Sequence, residues 1–128
     1  QWGSVFSRTK LGYVACELGD YQAAGDYFGE SLKMALDIQA MPSVIDALVG
    51  LASLLIKTGN TEQEQALEIL ALALSHPASS RDNQDRAAVL LAELESQLPA
   101  GMVKAMQTRG QTRTLEMMAQ EILGKGRD

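Results

Sequence analysis

The stretch from Leu11 to Leu32, LGYVACELGDYQAAGDYFGESL, constrains this chain most, because its pattern is met by two helices folded back on each other. Leu11, Ala15 and Leu18 fall four and three apart, so they mark one face of a helix that must stop at Gly19. Glycine there accepts the left-handed cap. Asp20 is placed to cap the next helix, in which Tyr21, Ala24, Phe28, Ser31 and Leu32 recur at three and four. The two stripes are expected to face each other as core.

Composition narrows what surrounds this unit. With 128 residues, 46% hydrophobic and 21% charged, the chain suits one compact domain with a core of its own. Only 5% of residues are aromatic, which predicts an aliphatic core of closely approached helices and little or no strand. The single cysteine, Cys16, excludes an internal disulfide framework and fits a reducing compartment, so a cytoplasmic location is expected. No run approaches the roughly 18 consecutive apolar residues of a membrane span, and no signal sequence opens the chain. Gln1 in place of Met reads as the start of a piece of a longer protein.

The formal charge of -5 argues against phosphate-backbone binding as the main task. It is uneven: Lys104, Arg109, Arg113, Lys125 and Arg127 against Glu116, Glu121 and Asp128 leave +2 at the end of the chain and -7 before it.

Along the chain, the first helix is expected from Gly3 or Ser4 to Leu18 and the second from Tyr21 to about Gln39, with Pro42 as the first residue of a third. A shift of 40 residues puts Leu11 on Leu51, Gly12 on Ala52, Ala15 on Leu55 and Gly19-Asp20-Tyr21 on Gly59-Asn60-Thr61. The register then slips by two, so that Ala24, Phe28, Ser31 and Leu32 match Ala66, Leu70, Ala73 and Leu74. Thr61 and Glu64 have capping-box spacing, and His76-Pro77 stops the fourth helix. Ser79, Ser80 and Asp82 supply caps for a fifth helix to about Leu98, with Ala87, Leu90, Leu91, Leu94 and Leu98 buried. Two short helices, over 100–109 and 114–123, are expected on either side of Gly110-Gln111-Thr112-Arg113. Met102, Val103, Met106, Leu115, Met118, Ile122 and Leu123 would let them cover the last apolar face.

Leu-Gly, a Gly-Asp-Tyr turn, an alanine three residues on and an aromatic four later resemble the tetratricopeptide repeat. Arg8 stands where that family favours tryptophan, Ala15 where it favours tyrosine and Ser31 where it favours alanine. The resemblance implies an all-α fold, a right-handed solenoid of helix hairpins, with repeats at about 3–40, 42–77 and 80–110 and a cap helix at about 114–124. Repeats of 40 to 42 residues exceed the usual 34. Together with the closing HPASSRDNQDRAAVLLAELESQLP, they look like the C-terminal sensor or scaffold regions of large bacterial signalling NTPases and transcription regulators.

Sites of chemistry were sought and none stands out. The chain contains no His-Glu-x-x-His, paired Cys-x-x-Cys, glycine-rich phosphate loop or nucleophile elbow, and no enzyme, cofactor or metal is expected. His76 beside Pro77 reads as a helix-end residue, and Cys16, without a resolving partner, as a packed thiol. Glu62, Glu64 and Glu68 read as a solvated cluster at a helix start, and Arg109, Arg113, Lys125 and Arg127 as a solvated rim. Gly25 and Gly29, four apart inside a helix, each cost about 1 kcal/mol against alanine. Drift on an exposed face and close approach of another helix both remain open for them.

The expected function is binding of a protein or peptide, without direct nucleic-acid or membrane contact; the alternative is a small-molecule sensor with its ligand in the concave groove. In the resembled family the groove is lined by the first helix of each hairpin. Carried over, those positions are Phe6, Thr9, Tyr13, Cys16 and Glu17, then Asp46, Val49, Ser53, Ile56 and Lys57. A homodimer of the piece is a further expectation, through an open end bearing Trp2, Val5 and Phe6 or through the Gly25 and Gly29 surface.

Overall fold

The computed structural model describes residues 2–58, 63–112 and 114–125. The turn at Gly59-Asn60-Thr61, the Thr61 cap, Glu62, Arg113, Arg127 and the side chains of Trp2, Val5, Phe6 and Lys125 lie outside what it describes. Within it the chain is all helix: α1 Trp2–Glu17, α2 Tyr21–Asp37, α3 Met41–Thr58, α4 Gln63–Ser75, α5 Arg81–Glu95, α6 Ala100–Thr112 and α7 Leu115–Lys125. No strand occurs among the described residues.

The boundaries follow from backbone chemistry. Gly19 takes a positive φ of 82°, and the Gly19 and Asp20 amides donate to the Cys16 and Ala15 carbonyls at 3.1 and 2.9 Å, satisfying the open end of α1. Asp20 then accepts from the Ala23 amide at 3.2 Å and starts α2. The same closure recurs after α2, where Gln39 and Ala40 donate to Leu36 and Ala35, but here a glutamine holds the positive φ, 56°. The helix therefore ends at Asp37, before Gln39, and α3 begins at Met41 with Pro42 second. Ser80 and Thr114 cap α5 and α7 through the Asn83 and Met117 amides, each at 3.1 Å.

Packing runs from neighbour to neighbour: α2 lies against α1 and α3, α4 against α3, α5 and α6, and α7 returns to α2 and α3. Helices α1, α3 and α5 are successive neighbours. The main core joins Leu32, Val44, Ile45, Leu48, Leu67, Ile69, Leu70, Leu94 and Met118; a second, smaller one holds Ala15, Cys16, Ala24 and Phe28, and Leu51 packs against both. Leu11, Phe28, Leu51 and Leu70 thus do not form one continuous core.

Two expectations about buried faces are corrected. Leu11 and Leu18 are 45% and 79% exposed; α1 instead buries Thr9, Gly12, Ala15 and Cys16. The cause is the Phe28 ring, which needs small residues opposite it, so α1 is turned to present them. With Val14 and Tyr21, the two leucines form an exposed apolar stripe. The second correction is α4, whose every residue from Ala66 to Ala73 is buried. A helix apolar all round is an interior helix, and here α6 covers the side that a hairpin's outer helix would turn to water.

Glu68 lies on that covered side. It is buried and accepts from Arg109 Nε at 2.8 Å, so it is no solvated cap residue and Arg109 no free rim cation. Gly110 does not break the chain between two helices either: α6 runs through it to Thr112, and it is buried against α4. Helix α3, with a mean hydropathy of 1.5, is long and apolar enough to cross a membrane by length and composition. Its Val44, Ile45, Leu48 and Val49 are buried against other helices, which accounts for that composition.

Candidate functional site

Helices α1, α3 and α5 meet around a cavity of about 280 Å³ lined by Thr9, Lys10 and Tyr13 from α1, Asp46 from α3, and Ser80, Asp82, Asn83 and Arg86 from α5 and its cap. Each wall is set by a local feature. The Ser80 cap fixes the first turn of α5, which buries Asn83 and brings Arg86 one turn later to the same side. Thr9 is buried and its hydroxyl hydrogen-bonds the Ser31 hydroxyl across α1 and α2, which pins the rotation of α1. Tyr13, one turn on, packs edge-on against Phe28 with centroids 5.0 Å apart at 77°.

The polar tips converge above that apolar base. The Arg86 guanidinium lies over the Tyr13 ring, 4.4 Å from its centroid, a cation–π arrangement. The Tyr13 hydroxyl is buried without a hydrogen bond of ordinary geometry, with the Arg86 guanidinium as its neighbouring donor. Burial pushes the Tyr13 phenol above its ordinary pKa, against the lowering effects of the Arg86 charge and of Arg86 as a hydrogen-bond donor. Burial also raises the Asp46 carboxyl, and the Asn83 side-chain hydrogen bond and the Arg86 charge only partly restore its ionised form.

That shift has a measurable sign. Because the folded pKa of Asp46 lies above the unfolded one, the native state holds its proton more tightly, and this group's contribution declines as pH rises through the window between the two values. Above the window the charge is a net cost of folding. Asp46→Asn is therefore expected to be more stable than the parent at neutral pH, with the gain vanishing below the ordinary aspartate range. Paired thermal melts from pH 3 to pH 8 check this, and a gain that grows in acid would contradict it.

Of the ten groove positions carried over from the tetratricopeptide pattern, the structure brings Thr9, Tyr13 and Asp46 together here. Cys16, Val49 and Ser53 are buried and are corrected to packing positions: Cys16 of α1 joins the cluster around Phe28, and α3 has neighbours on most of its circumference. Ile56 packs partly against the main core, Glu17 and Lys57 are exposed, and the Phe6 side chain lies outside the described residues. Burial raises the Cys16 thiol above its usual pKa despite Lys57, which makes it a poor nucleophile. The His76 ring accepts from the Ala78 amide at 3.0 Å and shapes the turn into α5. No group of acidic, histidine or cysteine side chains fit to hold a metal occurs among the described residues.

Asn83 and Arg86 are the site residues that the sequence reading missed. The signal was present: the 40-residue shift that matches Leu51 to Leu91 also carries Asp46 onto Arg86.

A second depression, about 520 Å³, lies between α2, α3 and α7, with Leu36, Leu51, Ile122 and Leu123 as its apolar part and Gly25 and Gly29 among its walls. A side chain at Gly29 would meet nothing within 4 Å, and one at Gly25 only Leu54 of α3 at 3.5 Å, an ordinary contact, so among the described residues no helix comes closer than this to either glycine. Comparison with known proteins finds no matching family model, curated relative or solved structure.

Proposed function

We propose that this chain is a non-catalytic interaction module made of tetratricopeptide-like helix hairpins, the regulatory or scaffold part of a larger signalling protein, which recognises a protein or peptide partner with the face formed by α1, α3 and α5. The observation that carries the reading is the convergence of Tyr13, Asp46, Asn83 and Arg86, from three different helices, on one cavity. Successive first helices lying side by side are what an inner solenoid surface consists of, and such surfaces bind extended partners. At 280 Å³ the cavity is below the roughly 300–1,000 Å³ of sites that enclose a whole small molecule, and fits one side chain of a larger ligand.

A second reading, a small-molecule sensor, is favoured by the size of the α2–α7 depression, which falls inside that range. Photo-crosslinking in the native host separates the two, with a photoreactive residue at Lys10 beside the cavity or at Gln120 beside the depression. The interaction reading expects protein adducts from Lys10 that are lost with Asp46→Arg. Adducts of metabolite mass at Gln120, with none at Lys10, would move the function to the second site.

A further inference from the structure

We infer that the cavity between α1, α3 and α5 is a receptor for an arginine side chain of the partner, and that Arg86 is an internal placeholder which the partner's guanidinium displaces. The inference rests on the reading of this face as the recognition surface and adds what chemistry it selects. Three features bear on that chemistry. The cavity offers an aromatic face in Tyr13 and two carboxylates in Asp46 and Asp82, the partners that a planar cation uses. It also holds a buried phenol oxygen that lacks a hydrogen bond of ordinary geometry and has only the Arg86 guanidinium as a neighbouring donor, so it can accept from a better placed N–H group. Lastly, a guanidinium already occupies the place over the ring, supplied by Arg86, whose residue is exposed overall and is therefore free to swing outward at little cost in packing.

An anionic guest would meet Lys10 and Arg86 but also the Asp46 and Asp82 carboxylates on two walls, and it would have to compete with Asp46 for the Arg86 charge. An apolar guest that displaced Arg86 would leave the Asp46 carboxylate with the Asn83 hydrogen bond but no counter-charge, and would offer the Tyr13 hydroxyl no donor. A guanidinium guest can stack on the Tyr13 ring, donate to Asp46 and reach the phenol oxygen through its fork of donors. The exchange is one cation for another, so the desolvated carboxylate never loses its counter-charge while Arg86 moves into water. The -7 charge of residues 1–103 favours a basic partner in the same sense.

The test uses three acetylated, amidated tripeptides, Gly-Arg-Gly, Gly-Glu-Gly and Gly-Leu-Gly, titrated against the labelled chain while the Tyr13 ring and Asn83 side-chain amide signals are followed by NMR. The arginine peptide is expected to shift both signals, to bind about 3- to 10-fold more tightly to Arg86→Ala, in which the placeholder no longer competes, and to be lost in Asp46→Asn. Binding of the glutamate or leucine peptide at these signals, without the arginine one, overturns the inference but leaves the face as a side-chain receptor. Weaker arginine binding to Arg86→Ala overturns the placeholder role. If no peptide moves either signal in the parent or in Arg86→Ala, the inference falls, and the interaction reading is decided by the protein adducts from Lys10.

Discussion

Phe28→Ala is expected to lower the unfolding free energy by about 4–5 kcal/mol, the upper part of the range for removing a buried phenylalanine. The ring is fully buried between α1 and α3, and both helices meet it with glycine: a Cβ built on Gly12 would come within 2.6 Å of its edge, and one on Gly50 closer still. The two glycine positions have no side chain to lean inward, and Tyr13, Leu51 and Leu54 around the ring relax only in part, so most of the cavity contribution is not relieved. The edge-on contact of Tyr13 at 5.0 Å is lost as well, worth about 0.5–1.5 kcal/mol beyond the area buried. Against a total of about 5–15 kcal/mol for a domain, the variant would be close to unfolded at 37 °C.

The arrangement also predicts a reversal of sign. Gly50→Ala destabilises the parent, since its methyl group would strike a ring that has no room to move. In the Phe28→Ala background the same change fills vacated space and gains up to about 1 kcal/mol of helix propensity, so it stabilises. Urea titrations of the four proteins measure the cycle. A loss below about 1 kcal/mol for Phe28→Ala, or an additive cycle, would show that the ring does not fill the space between the two glycines.

The sequence was most readable where local chemistry decides. Gly19-Asp20 ends one helix and begins the next because each satisfies particular orphan backbone groups, and of the second stripe Ala24, Phe28, Ser31 and Leu32 are buried as their spacing implies, while Tyr21 at the helix start is exposed. Ser80 at the start of α5, and Val103, Leu115 and Met118 in the last two helices, follow the same logic. Reading failed where a distant element chooses. Spacing alone picked the leucines of α1, yet the position of Phe28 on another helix made Thr9, Gly12, Ala15 and Cys16 the buried set. Pattern carry-over likewise assigned Val49 and Ser53 to a groove, because a linear motif does not record that α1, α2, α4, α5 and α7 all lie against α3. Arg86 was overlooked because the fifth helix was read for its caps and its apolar stripe, although its polar positions complete the candidate site.

Glycines show the same division most sharply, and they carry the other large expected effect. Gly29 and Gly110 both sit inside helices, where alanine is intrinsically better by about 1 kcal/mol. At Gly29 a new Cβ meets nothing within 4 Å, so Gly29→Ala is expected to gain about 0.5–1 kcal/mol. At Gly110 it would lie 2.5 Å from the Glu68 carbonyl oxygen and 3.1 Å from both Glu68 Cα and Ala71 Cβ, all part of the enclosed helix α4. A backbone oxygen has no rotamer to retreat into, so α6 must move outward as a body. That movement loosens the α4–α6 contact and draws Arg109 from the buried Glu68 carboxylate, now held at 2.8 Å. Overpacking of this kind costs about 1–3 kcal/mol and a weakened charged hydrogen bond adds to it, so Gly110→Ala is expected to lose about 2 kcal/mol or more after its propensity gain. Because the two effects share one displacement, Arg109→Ala should cost less in the Gly110→Ala background than in the parent. Denaturant titration of the single and double variants measures both quantities. Were Gly110→Ala as benign as Gly29→Ala, α6 would not lie on α4, and the enclosure of Ala66 to Ala73 would need another explanation.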